Sequence, residues 1–326
     1  MSDQQPRIVS LIPSATEIVF ALGLGDFLVG RSHECDFPAQ VQPLPVCTEP
    51  KFDPEGDSGE IHRRVTDLLT SALSVYRVNI DKLETLRPTH IITQAQCEVC
   101  AVSLAEVETA VAALTQTQPR IISLEPTRLE EVWADISSVG AALLTPGDYS
   151  PLETLLESLQ NRVQTCTDRI AKTQSRPSVA CIEWTDPLMG TGNWVPELVE
   201  LAGGIPLFGT PGEHSPWLSW DALVDANPEV IVIMPCGYNL EVTGRESEAL
   251  TRHPHWTKLK AVQQNQVYIT DGNQYFNRPG PRLVDSLEIL AEIIHPEVFE
   301  FGYLGQGWQP FGAMNVNDRD TLSQPL

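Results

Sequence analysis

The stretch that decides the fold is RIVSLIPSATEIVFALGLGDFLVG, residues 7–30. Its first apolar run, residues 8–12, has the length of a buried strand and is followed by a proline. Ser14 and Glu17 have the spacing of a capping box, which predicts that a helix begins here. A second apolar run at 27–30 predicts another strand. This order of strand, helix and strand indicates a mostly parallel sheet that is covered by helices.

The same alternation continues along the chain and is interrupted once. Further strands are predicted at 90–94 and 120–124, and later at 179–184, 230–234 and 267–270. Between the two sets, residues 129–144 and 151–172 show helical periodicity with no strand signal. Residues 145–151 between these helices indicate either a surface turn or a kink in one longer helix.

The predicted architecture is therefore α/β, with two Rossmann-like lobes at residues 1–128 and 176–297. A helical connector at 129–175 joins the lobes, and residues 298–326 form a C-terminal tail. In open sheets of this kind ligands bind at the carboxyl ends of the strands, so we expect a ligand cleft between the lobes.

Composition limits the classes of partner. The 326 residues include 43 Asp and Glu but only 21 Lys and Arg, which gives a net charge of -22. Such an acidic surface disfavours nucleic acid and anionic membrane surfaces, and no apolar run is long enough to insert into a membrane. The opening MSDQQPR lacks the basic start of a secretory signal. We expect a cytoplasmic protein as the sequence stands, or a periplasmic one if a leader has been removed.

Four stretches together resemble one family. They are the opening stretch, NIDKLETLRPTHIIT at 79–93, NWVPELVELAGG at 193–204, and the run from WLSWDALVDANPEVIVIMPCG at 217 to RPGPRLVDSLEILAEIIHPE ending at 297. In order and spacing they resemble the substrate-binding proteins of ABC importers for cobalamin, haem and iron-siderophores, the class with a single backbone helix. The resemblance implies a class III periplasmic-binding-protein-like fold, a monomer, and the membrane subunits of an ABC importer as a partner.

Two short motifs narrow the resemblance. HECDFP at 33–38 and QCEVC at 96–100 are similar to the cobalamin-binding branch. This implies cobalamin as the bound ligand and no catalytic cofactor. The resemblance also implies one docking carboxylate on each lobe for the transporter's arginines. The matching positions are Asp81 with Glu84 nearby in the first lobe, and Glu200 with Glu197 one turn earlier in the second.

Aromatic residues in the second lobe are candidate walls for a large flat ligand. Trp184 ends a predicted strand, Trp194 follows a glycine-rich segment, and Trp217 lies in a loop-rich region. Each of these indoles has core filling as its structural alternative. Tyr275, Phe276 and Arg278 follow the strand at 267–270 and are predicted ligand contacts. Arg278 would contact amides or a phosphate of the ligand, or else cap a helix or pair with an acid.

Cysteines and one histidine near the predicted strand ends allow several interpretations. Cys97 and Cys100 are spaced as in a redox pair or a zinc half-site, which His33, Cys35 or Cys47 would complete, and they equally suit plain buried thiols. His33, Cys35 and Cys97 are also predicted ligand contacts, because their loops follow neighbouring strands. As a neutral imidazole, His33 is a candidate axial ligand of cobalt.

The motifs of common enzyme classes are missing from the sequence. It contains no GxSxG elbow, no Walker loop and no HExxH. We therefore predict a non-enzymatic protein that binds a corrinoid, as the substrate-binding component of an uptake system or as a cytoplasmic carrier or sensor derived from one. The alternatives are a haem or iron-siderophore binding protein, and a cysteine-ligated metalloprotein or enzyme on the same two-lobed architecture.

Overall fold

The chain divides into two units. The computed structural model describes residues 5–69, 75–95 and 103–312. The first unit comprises Met1–Asn161 and Arg278–Arg282, and the second comprises Arg162–Asn277 and Leu283–Leu326. A short segment of late sequence, Arg278–Arg282, therefore belongs to the unit that is otherwise built from the first half of the chain.

The strands follow the predicted alternation. In chain order they are β1 (Ile8–Ser10), β2 (Leu28–Arg31), β3 (Thr48–Pro50), β4 (Tyr76–Val78), β5 (His90–Gln94), β6 (Arg120–Leu124), β7 (Ser178–Thr185), β8 (Leu188–Gly190), β9 (Ile205–Pro206), β10 (Val230–Ile233), β11 (Val267–Thr270) and β12 (Trp308–Pro310). The seven strands predicted from apolar runs are all present, so the α/β prediction is confirmed.

The helices occupy most of the intervening sequence. In chain order they are α1 (Pro13–Ala21), α2 (Ser58–Leu69), α3 (Ile80–Leu86), α4 (Leu104–Ala112), α5 (Leu129–Leu143), α6 (Ser150–Ile170), α7 (Val195–Leu201), α8 (Trp220–Ala226), α9 (Leu240–Thr251), α10 (Lys260–Gln263) and α11 (Leu283–Ile294). Within the described residues, no helix combines the length and the apolar character that crossing a bilayer requires.

Each unit has its own sheet. In the first unit four parallel strands lie in the order β2-β1-β5-β6, and β3 and β4 form a separate antiparallel pair. In the second unit the order is β12-β11-β10-β7-β8, with β9 beside β7. Strands β8 and β12 are antiparallel to their neighbours and the others are parallel. Buried apolar side chains fill a core against each sheet.

One local module occurs in both units, 140 positions apart. The side chain of Asn79 caps α3, which ends at Arg87 in the left-handed conformation before a proline and β5. Ser219 caps α8 in the same way, and α8 ends at Asn227, also left-handed, before a proline and β10. In both cases the proline stops the helix, and the capping side chain accepts a hydrogen bond from a backbone N–H that has no partner within the helix.

The connector consists of two helices rather than one kinked helix. The last turn of α5 is followed by residues 144–149, and α6 begins at Ser150. Gly140 of α5 lies against Leu152 of α6, where a Cβ atom on the glycine would approach the leucine side chain to 3.0 Å. Of the two alternatives predicted for the residues between these helices, the surface turn is therefore the one found. Helix α6 itself begins in the first unit and ends in the second.

The start of α1 differs from the prediction. The helix begins at Pro13 with Ile12 as its N-cap, and no side chain caps it. Ser14 therefore lies inside the first turn, and the predicted capping box with Glu17 is wrong. Proline at the first helical position needs no N–H partner and has a φ angle suited to a helix, so the proline starts this helix.

Candidate ligand-binding site

Four side chains gather at the carboxyl end of the central strands of the second unit. Trp184 on β7 lies opposite Met189 of β8, and Met189 in turn pairs with Trp217. The ring of Trp184 lies 5.3 Å from that of Tyr238, which follows β10. Directly opposed residues of antiparallel strands have their side chains on the same side of the sheet. We call Trp184, Met189, Trp217 and Tyr238 the aromatic face.

The aromatic face is partly open. The side chain of Trp217 is 59% exposed, which is rare for an indole in a folded chain. Trp184 is half-buried, and its Nε1 donates to the backbone oxygen of Asp186 at 3.0 Å, which fixes the plane of the ring. A rigid indole beside an exposed one gives a broad apolar surface that a flat ligand can cover at small cost in side-chain entropy.

Two predicted ligand contacts of the second unit lie in its core. Trp194 is 6% exposed, and its Nε1 donates to the backbone oxygen of Phe276 at 2.6 Å. Phe276 is fully buried, has a φ angle of 65°, and donates its backbone N–H to Ser286 Oγ. These contacts correspond to the core-filling alternative for Trp194. Tyr275 is half-buried and packs edge-on against Tyr303 at 6.0 Å.

Arg278 pairs with acids of the first unit. Its Nη1 lies 2.6 Å from Asp36 Oδ1 and 3.4 Å from Glu17 Oε1, and the side chain is 5% exposed. Arg282 lies 3.6 Å from the same Glu17 oxygen and stacks over the ring of Phe37 at 4.0 Å. Of the interactions predicted for Arg278, the ion pair with an acid is the one that the structure contains. The contact with a ligand amide or phosphate stays a prediction.

His33 has a defined hydrogen-bonding state. Thr48 Oγ1 accepts the backbone N–H of His33 at 3.1 Å and donates to Ser32 Oγ at 3.0 Å. The same hydroxyl oxygen lies 2.8 Å from His33 Nδ1, and the Nδ1–H tautomer that this contact supports leaves a lone pair on Nε2. Burial and nearby Arg31 lower the pKa of His33, so the imidazole is neutral. Tyr76 packs 5.1 Å from its ring.

The cysteine predictions divide between described and undescribed residues. Cys35 and Cys47 are free, fully buried thiols of the first unit, and burial raises the pKa of Cys35 to about 12 and of Cys47 to about 11. Thr16 Oγ1 lies 3.1 Å from Cys35 Sγ. Cys97 and Cys100 lie outside the described residues. No cluster of three potential metal ligands occurs in the described parts of the chain.

The four predicted docking carboxylates differ in their surroundings. Asp81 is exposed in the first turn of α3. Glu84, one turn later, accepts hydrogen bonds from the backbone and the hydroxyl of Thr115, and the hydroxyl bond lowers the pKa of Glu84. In the second unit Glu200 is exposed near the end of α7, and Glu197 is half-buried in its first turn. Asp81 and Glu200 are thus the more accessible carboxylates.

Sequence reasoning missed the acid beside the aromatic face. Glu183 is half-buried next to Trp184, and its Oε2 accepts a hydrogen bond from Ser215 Oγ at 2.6 Å. The signal available in the sequence for this acid was a carboxylate at the end of an otherwise apolar strand. Asp36 was also missed as the partner of Arg278, because the two residues are 242 positions apart.

A family model described as periplasmic binding protein matches residues 8–274. The chain belongs to the periplasmic binding protein family. Among curated relatives of this periplasmic binding protein, an uncharacterized ABC transporter substrate-binding lipoprotein, YvrC of Bacillus subtilis, is 26% identical over 90% of this chain and 81% of its own. A vitamin B12-binding protein of Vibrio cholerae is 26% identical over 86% of each chain.

Solved structures of two related periplasmic binding proteins share the fold. The periplasmic heme-binding protein RhuT from Roseiflexus sp. RS-1 has a TM-score of 0.67 and 23% identity, over 90% of this chain and 100% of its own. The periplasmic vitamin B12 binding protein BtuF of Vibrio cholerae has a TM-score of 0.62 and 22% identity, over 89% of this chain and 96% of its own. These similarities confirm the class III fold that the sequence resemblance implied.

Proposed function

We propose that this protein is the substrate-binding component of an ABC importer, and that its substrate is a corrinoid, with cobalamin the leading candidate. The observation that carries the proposal is the aromatic face of the second unit, where the 59% exposed ring of Trp217 is joined by Trp184 and Tyr238. A corrin ring needs a broad apolar wall of this kind. Curated relatives include vitamin B12-binding proteins, at 26% identity for that of Vibrio cholerae.

The state of Arg31, Arg278 and Arg282 favours a corrinoid over haem or an iron-siderophore. Haem carries two propionates and ferric siderophores are commonly anionic, so each calls for unpaired cations. In the first unit Arg278 and Arg282 are engaged by acids, and Arg31 donates to the backbone oxygens of Ser32, Cys35 and Gln42. Cobalamin has a largely uncharged periphery of amides, so it requires less charge compensation.

The partner in this proposal is the membrane part of the importer. Exposed Asp81 and Glu200 lie on different units and on the surfaces of helices, so each is free to meet an arginine of a partner subunit. Charge-assisted contacts of this type set register and orientation more than they add affinity. The protein itself performs no catalysis in this proposal.

The test is direct binding followed by separation. Purified protein is mixed with an excess of cyanocobalamin, hydroxocobalamin or haemin in separate samples, desalted, and examined by visible spectroscopy. We expect stoichiometric corrinoid absorbance to stay with the protein, together with a rise in Tm at saturating cobalamin. Retention of haemin alone would favour the haem alternative. Loss of all three ligands on desalting, with no shift of Tm, would reject the proposal.

A further inference from the structure

Glu183 lies at a break in the regular pairing of β7 with β8. Ile182 is opposite Gly190 and Trp184 is opposite Met189, so two steps along β7 match one step along β8. This β-bulge interrupts the strict alternation of side chains, and bulges of this kind re-aim a side chain next to a site. The carboxylate of Glu183 is thereby brought beside the aromatic face instead of lying across the sheet from Trp184.

The contact with Ser215 supports this orientation. Ser215 lies two positions before Trp217 in the segment that pairs with β8, where Gly190 N–H donates to Pro216 O. Residues two apart in a paired segment share a face, so Ser215 and Trp217 point to the same side. The hydroxyl of Ser215 holds Glu183 Oε2 at 2.6 Å. Glu183 therefore belongs on the side of the aromatic face.

One carboxylate oxygen is held and the other remains available. Among the described residues, the Ser215 hydroxyl is the hydrogen-bond donor to Glu183, and no lysine or arginine forms a salt bridge with it. Burial raises the pKa of Glu183, while the Ser215 bond and the charge of His214 act in the opposite direction. In its ionised form, a half-buried carboxylate without a cation is unfavourable beside a second anion and is a strong acceptor for an N–H donor.

We propose that Glu183 is a specificity-determining residue, which accepts an amide N–H from the periphery of the bound ring and disfavours rings that carry carboxylates. This inference rests on the proposed binding of a corrinoid and names the chemical feature by which the site selects it. A like charge at an interface suppresses a wrong partner, and specific interfaces combine such repulsion with contacts that favour the right one.

Two corrins with the same ring and different peripheries test the proposal. Dicyanocobinamide carries amides, and dicyanocobyrinic acid carries carboxylates at the corresponding positions. Dissociation constants for both are measured at pH 8 with the wild-type chain, with Glu183→Gln and with Glu213→Gln. Glu213 is an exposed carboxylate two positions from Ser215, so its replacement removes the same charge while the contact between Ser215 and Glu183 is kept.

We expect wild type to prefer the amide corrin about 100-fold, because a like charge beside the carboxylates of the acid disfavours its binding. Glu183→Gln keeps an acceptor for Ser215 and should reduce the preference at least about tenfold, through tighter binding of the acid. Glu213→Gln should leave the ratio within about twofold, because an exposed charge is screened. If circular dichroism shows that Glu183→Gln does not fold, the same dissociation constants are measured with Glu183→Ala.

The outcomes separate this inference from the proposed function. Wild type that binds neither corrin overturns the proposed function itself. Wild type that prefers the amide corrin by a ratio that neither Glu183 variant changes shows that Glu183 only braces the Ser215 segment, and this overturns the specificity proposal while the proposed function stands.

Discussion

The guanidinium of Arg278 lies 3.4 Å from the carboxylate of Glu17, a residue 261 positions earlier in the chain, and both side chains are at most 5% exposed. A buried charge that loses its partner is strongly destabilising, even where the intact pair adds little. Because Arg278 also holds Asp36, the segment 278–282 is fixed to the first unit through charge as well as through packing.

Removal of Arg278 should therefore destabilise the first unit. We expect Arg278→Met to lower the free energy of unfolding by about 3 kcal/mol at pH 7, measured by urea denaturation. The control is Arg245→Met, because Arg245 is 63% exposed and pairs with Glu246 at the surface, and it should cost less than about 0.5 kcal/mol. Adding Glu17→Gln to Arg278→Met should recover part of the loss. Equal effects of Arg278→Met and the control would contradict a buried pair.

Trp217 should contribute to ligand affinity and little to stability. We expect Trp217→Ala to weaken cobalamin binding by about 2 kcal/mol, or about 30-fold in Kd by calorimetry, because an exposed indole on a binding surface is a typical hot spot. Its Tm should change little, since the ring is 59% exposed. Tyr149→Ala is the matched control, an aromatic residue 37% exposed in the first unit. A similar loss of affinity in both variants would argue against the aromatic face.

His33 should bind cobalt if a corrinoid approaches its free Nε2. Aquacobalamin changes its visible spectrum when an imidazole replaces the bound water, so wild type should shift the spectrum and His33→Ala should not. Thr48→Val, which removes the acceptor of Nδ1–H, should weaken the shift without abolishing it. Identical spectra for wild type and His33→Ala would reject axial ligation by His33. A residue far along the chain, His255, provides the control substitution to alanine.

The titration of Asp135 should make the free energy of unfolding fall as pH rises. Burial raises its pKa to about 7, with the charges of Glu131 and Glu125 acting in the same direction. Between the unfolded pKa near 3.8 and the folded value, the native state binds more protons than the unfolded state, so stability decreases with pH. Asp135→Asn removes this titration. Its stability relative to wild type should rise by about 2 kcal/mol between pH 4.5 and pH 8, a value discounted for solvent screening.

The Asp135 measurement compares urea denaturation of the two proteins across that pH range. Asp148→Asn, at an exposed position in the turn after α5, is measured alongside as the surface control. A flat difference for Asp135→Asn would mean that Asp135 titrates normally in the folded chain.

Glu292 should hold the C-terminal segment. Its buried carboxylate accepts the backbone N–H groups of Phe301, Gly302 and Tyr303, and Trp308 Nε1 at 2.8 Å. Glu292→Ala leaves these donors without an acceptor, so we expect a loss of about 3 kcal/mol and faster proteolysis within residues 298–312. Glu300→Ala, an exposed carboxylate of the same segment, should change neither quantity. Unchanged proteolysis in Glu292→Ala would indicate that β12 alone secures the segment.

Features that depend on a few neighbouring residues were predictable from the sequence. The apolar runs at 90–94 and 230–234 give β5 and β10, and the stops before Pro88 and Pro228 lie where the local sequence indicates. These elements follow from the steric restrictions of proline and from burial on both faces of a parallel sheet. The periodicity of 129–144 and 151–172 likewise predicts α5 and α6 within a few residues.

Features that depend on distant partners were not predictable. Strands β3 and β4 are short and far apart in sequence, and each is stabilised by the other, so neither has a strong local signal. Trp194 and Trp217 are the same type of residue and have the same sequence signal, but Trp194 is buried and Trp217 is exposed. The bulge that re-aims Glu183 depends on pairing with β8, and no pattern along β7 alone reveals it.

The dependence of the first unit on Arg278–Arg282 has a consequence during biosynthesis. Glu17 emerges from the ribosome early, but its guanidinium partner is translated 261 residues later. At an elongation rate of about 5–20 residues per second this is an interval of about 15–50 s. Throughout that interval the nascent first unit lacks the guanidinium groups of Arg278 and Arg282 that pair with Glu17, so its native packing is completed only after nearly the whole polypeptide has been synthesised.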